Sequence, residues 1–217
     1  MTTILTERNR LPDIVRQELD GFSRETVTFT ASAIPLCAVV GCVTKGAPVA
    51  AADAGNAGNG VISGLALGDQ AESGVYSLEC TVAGGSNAGT FAVFTPEGLR
   101  LKDAVVGKAY VSPHLALTIG DGTADFAAGD GFEVTVPAGS GKYKILAPTA
   151  VDGTQVAAGI AIADYDATLA DVRGVIVNRD AKVIGELLSW PAGITAIQKN
   201  KALAQFAALG IQNTTGV

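Results

Sequence analysis

The sequence predicts a mainly β protein in two parts: a β-rich body that carries a helix near its C-terminal end, interrupted by an inserted antiparallel β-sandwich or small barrel. Three observations predict it. Apolar residues recur with a period of two through much of the sequence, one late stretch switches to helical spacing, and charge and glycine content change abruptly between residues 55 and 136. That stretch holds nine acids (Asp69, Glu72, Glu79, Glu97, Asp103, Asp121, Asp125, Asp130, Glu133) against three bases (Arg100, Lys102, Lys108), and 15 of the 27 glycines. The full 217 residues carry a net charge of −6, so the remainder is neutral, with twelve charges of each sign. A joint shift of charge and composition marks a separate module set into a neutral one. The expected division is an N-terminal arm over 1–24, a body over 25–54 and 138–217, and an acidic insert over 55–137.

In the arm, Ile4, Leu5, Leu11, Ile14, Val15, Leu19 and Phe22 are scattered among charged side chains. Pro12 at a first helical position, followed by Asp13, permits a short helix to Leu19 that ends near Gly21. From Thr26 the pattern turns to strand, with Val27 and Phe29 alternating against Thr28 and Thr30, followed by an apolar run from Leu36 to Val43. The small-residue stretch Ala50 to Gly60 reads as turn or linker. Within the insert, Tyr76, Leu78, Cys80 and Val82 share one strand face; Leu115, Leu117 and Ile119 share another; Phe132, Val134 and Val136 a third. Turn-rich segments, 84–89 and 120–131, bound these runs. The body resumes with strands near 142–146, 156–163 and 174–178 and a turn at Asn178-Arg179-Asp180. A helix follows over 196–209, with Leu203, Phe206 and Ala207 on one face, Gly210 as its left-handed stop and Ile211 folding back on Phe206.

Composition also narrows the chemistry. An acidic protein poor in Lys and Arg lacks the footprint that attracts phosphate backbones, so no nucleic-acid partner is expected. The first twenty residues mix both charge signs, and the longest apolar run, 31–43, is too short and too interrupted to span a bilayer, so no membrane partner is expected either. His114 has no second histidine beside it. Cys37 and Cys42, at odd separation, would face opposite sides of a single strand, and with Cys80 they read as small buried hydrophobes. The 139–144 stretch lacks the first glycine and the Ser/Thr of a phosphate loop, and 55–60 has its glycines in the wrong order for a dinucleotide fingerprint. Asp121, Asp125 and Asp130 match no calcium-loop spacing. With no catalytic constellation, metal site or cofactor motif to assemble, the residues point to a structural or binding protein and not to an enzyme.

The stretches 55-GNAGNGVISGLALG-68 and 174-GVIVNRDAKVIGELLSWPAGITAIQKNKALAQFAALGI-211, together with the polar arm, resemble the head-decoration proteins of tailed bacteriophages, the lambda-like capsid-stabilising family. The specific part is Asn178, Arg179, Asp180, then Glu186, Leu187, Trp190, Pro191, Gly193 and Ile194, with Leu-Gly-Ile at 209–211. The insert resembles an addition seen in longer members. The resemblance implies a small clip-like β-rich body that binds the outside of the expanded capsid, as a homotrimer, and bridges neighbouring major capsid protein subunits. It further implies a virion-exterior location after synthesis in the bacterial cytoplasm, and an arm, with its seven apolar residues, that orders on the capsid. A different class of function, a virion-surface adhesin or glycan-binding module carried by the insert, would need exposed aromatics. The insert offers Tyr76, Phe91, Phe94, Tyr110, Phe126 and Phe132, mostly at inward positions.

Overall fold

Pro12 supplies a helical φ and needs no donor, and it sits in the first turn of the first element. The structure, a computed structural model, describes residues 10–19, 21–85 and 88–214. The helix expected to reach Leu19 stops after one turn: α1 is Leu11–Ile14, and strand β1 (Val15–Glu18) follows directly. The cause is tertiary. Val15 is β-branched, buried, and paired through its backbone with Val183, so ladder bonds and burial override local helix preference.

Next come β2 (Arg24–Phe29), β3 (Ala33–Ile34) and β4 (Val39–Cys42). The middle of the sequence forms β5 (Val49–Ala52), β6 (Ile62–Leu67), β7 (Gly74–Val82), β8 (Thr90–Phe94), β9 (Ala104–Val105), β10 (Ala109–Val111), β11 (Leu115–Ile119) and β12 (Gly131–Val136). The last third contributes β13 (Tyr143–Ile145), β14 (Gly159–Ala161), β15 (Tyr165–Asp166), β16 (Val172–Val177), β17 (Ala181–Ile184), a 3-10 turn at Gly185–Leu187, α2 (Ala196–Ala208) and β18 (Ile211–Thr214).

Two units result, Met1–Val43 with Gly141–Val217, and Thr44–Ser140. The first is built on a closed barrel in the order β13-β2-β16-β14-β4, filled by Val27, Phe29, Val40, Ala161 and Ile176. A three-stranded sheet, β1-β17-β18, and α2 share a second core that includes Ile14, Val15, Val183, Phe206 and Ile211. α2 begins on a reciprocal cap in which the Thr195 hydroxyl accepts from the Gln198 N–H and the Gln198 carboxamide accepts from the Thr195 N–H. It ends as expected, with Gly210 at φ +74° and its N–H donated to Ala207. Its buried face is Ala202 and Phe206, with Leu203 half-buried and Ala207 exposed, a rotation of the face expected from sequence.

The second unit is two antiparallel sheets, β5-β12-β7-β8-β9 and β10-β11-β6, around one core of Tyr76, Leu78, Phe91, Leu115, Phe132 and their neighbours. Its boundary corrects the expected one. β5 lies in residues assigned to the body, yet pairs residue by residue with β12 from Val49↔Thr135 to Ala52↔Phe132. Alanines at 50–52 give no inside-outside contrast, which is why the strand reads as linker. The charge division survives the shift: Thr44–Ser140 holds ten acids and four bases, leaving eleven of each sign in the first unit. The unit's two ends pair with each other, Gly46 N–H to Pro137 O at 2.8 Å and Gly139 N–H to Thr44 O at 2.9 Å. Val82 departs from its expected face. A bulge between Cys80 and Val82 turns it outward to 57 % exposure, while Cys80 stays buried. Cys37 lies in a turn with φ +59° before β4, so strand alternation does not relate it to Cys42, and no disulfide joins the three cysteines.

Candidate functional site

The segment expected to be an arm is divided by the fold. Ile4 and Leu5 lie outside the described residues. Ile14 and Val15 are buried in the protein's own core and Leu11 packs against it, whereas Leu19 and Phe22 are 52 % and 56 % exposed. What fixes this division is Ser23. It is fully buried; the hydroxyl accepts from the Leu19 N–H and donates to the Asp180 carbonyl, both at 2.8 Å. Its own N–H donates to Leu19 O, and its carbonyl accepts from the Asn178 N–H. One buried serine thus ties the loop after β1 to the turn after β16 through backbone groups that would otherwise lack partners.

That turn is Asn178-Arg179-Asp180, the most specific part of the family-like pattern. Asp180 adopts φ +41°, a conformation aspartate tolerates better than most residues. Arg179 donates to Glu25 Oε2 at 2.9 Å and stands 5.4 Å from the Phe22 ring centroid; the Asn178 carboxamide also donates to Glu25. On the other flank Arg24 pairs with Glu18, and this hydrogen bond holds the Glu18 carboxyl below the usual carboxylate range. Three exposed apolar side chains, Leu19, Phe22 and Leu209, thus belong to segments hydrogen-bonded directly or through Ser23 to one motif turn.

The rest of the family-like pattern shapes a cleft of about 370 Å³ lined by Gly185, Glu186, Trp190, Lys199, Leu203 and Asn213. The Trp190 indole donates to Gly185 O at 3.0 Å, the Asn213 carboxamide accepts from the Gly185 N–H, and Lys199 stands over the Trp190 ring. Leu187 is exposed, Pro191 half-buried, and Gly193 takes φ +74°. The two halves of the pattern line different surfaces, and among the described residues no hydrogen bond joins the Asn178–Asp180 turn to the Glu186–Gly193 stretch.

In the second unit the structure adds a clamp that no sequence pattern announces. Asp130, 6 % exposed, accepts from the backbone N–H groups of Ala57 (2.9 Å), Gly58 (2.8 Å) and Ala127 (3.0 Å). Burial alone would raise its pKa; the three donors outweigh it and hold the carboxyl below its ordinary value. Both carboxylate oxygens are thus engaged by the backbone of the loops they join. Asn56 bonds both polar groups of Gly131, and Asn59 bonds Thr123 and Ala124 across the same pair of loops. His114 meets the Tyr76 hydroxyl at 3.3 Å. Among the described residues no group of three His, Cys, Asp or Glu side chains is placed to hold a metal ion, and no helix is long and apolar enough to cross a membrane. Of the insert's aromatics, Tyr76, Phe91, Tyr110, Phe126 and Phe132 are buried and Phe94 is half-buried.

A family model described as bacteriophage lambda head decoration protein D matches residues 4–211. No curated protein matches the sequence. Among solved structures, FlgL of Xanthomonas campestris is similar at TM-score 0.33 and 20% identity, over 51% of this protein and 34% of that one. The flagellar hook junction protein FlgK from Burkholderia pseudomallei is similar at TM-score 0.33 and 18% identity, over 57% and 21%. The match therefore spans about a third or less of the length of these two structures.

Proposed function

Since this chain belongs to the bacteriophage lambda head decoration protein D family, and is thereby a structural protein of the phage head, we propose that it binds the outer surface of the expanded capsid as a homotrimer and bridges neighbouring major capsid protein subunits. The observation that carries the reading is the family match over residues 4–211, which spans both units. The structure supports it with a neutral first unit that presents Leu19, Phe22 and Leu209 beside the motif turn. Ile14 and Val15 serve the body's own core, so the capsid-binding part of the arm reduces to residues 1–9, with Ile4 and Leu5, and the Leu19–Phe22 loop.

The second unit carries the whole excess of negative charge, and it faces solvent, away from the shell and the packaged nucleic acid that would repel it. Its buried aromatics supply no stacking platform of the kind a glycan-binding module uses. The test is addition of the purified protein to expanded capsids that lack it, with copies bound per particle and resistance of the shell to heat as readouts. Binding with raised heat resistance is expected. Deleting residues 1–9, or changing Leu19 and Phe22 together to serine, is expected to lower occupancy; full occupancy in both variants rejects the arm assignment, and no binding by the intact protein rejects the reading.

A further inference from the structure

Asn59–Gly60 is the sequence's one Asn-Gly pair. Such pairs carry a chemistry of their own because glycine has no Cβ to obstruct its amide nitrogen. The glycine nitrogen attacks the asparagine carboxamide carbon, a new C–N bond closes a five-membered imide, and the bond from that carbon to the carboxamide NH₂ breaks to release ammonia. One water then opens the ring at either carbonyl, giving aspartate or isoaspartate. No oxidant or cofactor is involved.

Asn59 is exposed, so water reaches it, yet its side chain is held on both polar atoms. The carboxamide NH₂ donates to Thr123 Oγ1 at 2.9 Å and its oxygen accepts from the Ala124 N–H at 3.0 Å. Asn59's own N–H donates to Ala124 O at 3.3 Å. The peptide itself is packed: a Cβ on Gly122 would lie 1.9 Å from Asn59 Oδ1 and 2.8 Å from both Asn59 C and Gly60 N. Gly60 is buried, and a Cβ there would lie 2.2 Å from Gly120 O and 2.5 Å from the Phe126 ring. Attack by the Gly60 nitrogen requires the carboxamide to leave Thr123 and Ala124 and turn toward a peptide that has no room to rotate.

We propose that Asn59 is a site of self-modification by deamidation, held off while the 53–60 and 120–131 loops are docked and released when they open. The products differ in consequence. Aspartate keeps the acceptor for Ala124 and can accept from the Thr123 hydroxyl. Isoaspartate lengthens the backbone at a place where Gly122, Gly120 and Phe126 leave no space, so it blocks redocking. Deamidation therefore records openings of this end of the insert, and its isoaspartate branch makes them permanent.

The test uses the full-length protein at neutral pH and 37 °C, with peptide mass spectrometry following the amide-to-acid mass gain at Asn59 and the isoaspartate fraction. The folded protein is expected to deamidate roughly tenfold or more slowly than the same protein in denaturant, the factor reporting the opening equilibrium. Thr123→Val removes one holding bond and is expected to raise the folded-state rate roughly two- to tenfold, with circular dichroism confirming that the fold is kept. Gly122→Ala presses on the Asn59 carboxamide oxygen and on the Asn59–Gly60 peptide itself, so it is expected to undock the loop and raise the rate as well, with circular dichroism again confirming that the rest of the fold is kept. Equal rates in the folded and denatured states overturn the proposal, and so does a folded rate that neither substitution changes.

Discussion

Replacing Asp130 by asparagine tests the clamp of the acidic unit. The carboxylate receives three backbone N–H groups at 2.8 to 3.0 Å while only 6 % exposed. Asparagine presents one oxygen and one NH₂, so at least one of those donors faces another donor and loses its partner. A buried unsatisfied N–H and the loss of a charge-assisted bond together cost about 2–4 kcal/mol. For a unit of this size that corresponds to a fall in its melting temperature of about 4 °C or more per kcal/mol. The assay separates the units optically and by exchange. Trp190 is the sequence's one tryptophan and lies in the first unit, so its fluorescence follows the body, while hydrogen exchange at Gly58 and Ala127 follows the clamp. The expected result is faster exchange at both amides and a lower-temperature transition in the insert, with the Trp190 transition in place. The substitution also changes the acid limb. Because the folded-state pKa of Asp130 lies below its unfolded value, the stabilisation is full above the ordinary carboxylate range and is lost as pH falls through the folded pKa; the variant should show a shallower acid loss. Unchanged exchange at Gly58 and Ala127, or an equal shift of the Trp190 transition, would mean that the three donors do not hold this unit together.

Three further outcomes are expected. The buried Tyr110 hydroxyl makes no hydrogen bond of good geometry, and the Ser112 hydroxyl beside it donates to Leu115 O, so Tyr110→Phe should change the insert's stability by no more than about 1 kcal/mol in urea titration. Ser23→Ala strands the Leu19 N–H and the Asp180 carbonyl, so it should cost about 1–3 kcal/mol, seen as a lower Trp190 transition and faster exchange at Leu19. Gly41→Ala would put a Cβ 2.4 Å from the Thr154 carbonyl oxygen, backbone that cannot swing aside, so it should cost more than the about 1–3 kcal/mol of ordinary overpacking and lower the yield of folded protein.

The elements legible in the sequence are those whose signal is local. α2 has its cap at Thr195, its apolar face and its Gly210 stop within a few residues of one another. The strand faces of Tyr76-Leu78-Cys80 and Phe132-Val134-Val136 follow from strict alternation, and all six side chains are buried. Where the deciding partner is remote, local pattern misleads. Helix preference at residues 15–18 yields to pairing with β17, more than 160 residues away. β5 is made mostly of alanines that carry no inward or outward preference, and only its ladder with β12 reveals it. Val82 needed the bulge, which no local pattern announces.

The site divides along the same line. Asn178-Arg179-Asp180 stands out in the sequence as a turn and as part of a family-like pattern, but its anchoring partner is Ser23, 157 residues from Asp180 and an inconspicuous small polar residue. Ile14 and Val15 look like Leu19 and Phe22 by type, and only burial separates the side chains kept inside from those left exposed. Asp130 resembles the other acids of its loop until its three backbone donors are counted.

The measurement that bears most directly on the central claim is an electron-microscopy map of expanded capsids incubated with the purified protein. The expected map shows clusters of three copies on the outer surface, each in contact with more than one major capsid subunit, with the first unit and residues 1–9 against the shell and the acidic unit toward solvent. Density that is absent, lies inside the shell, or touches a single capsid subunit would contradict the account.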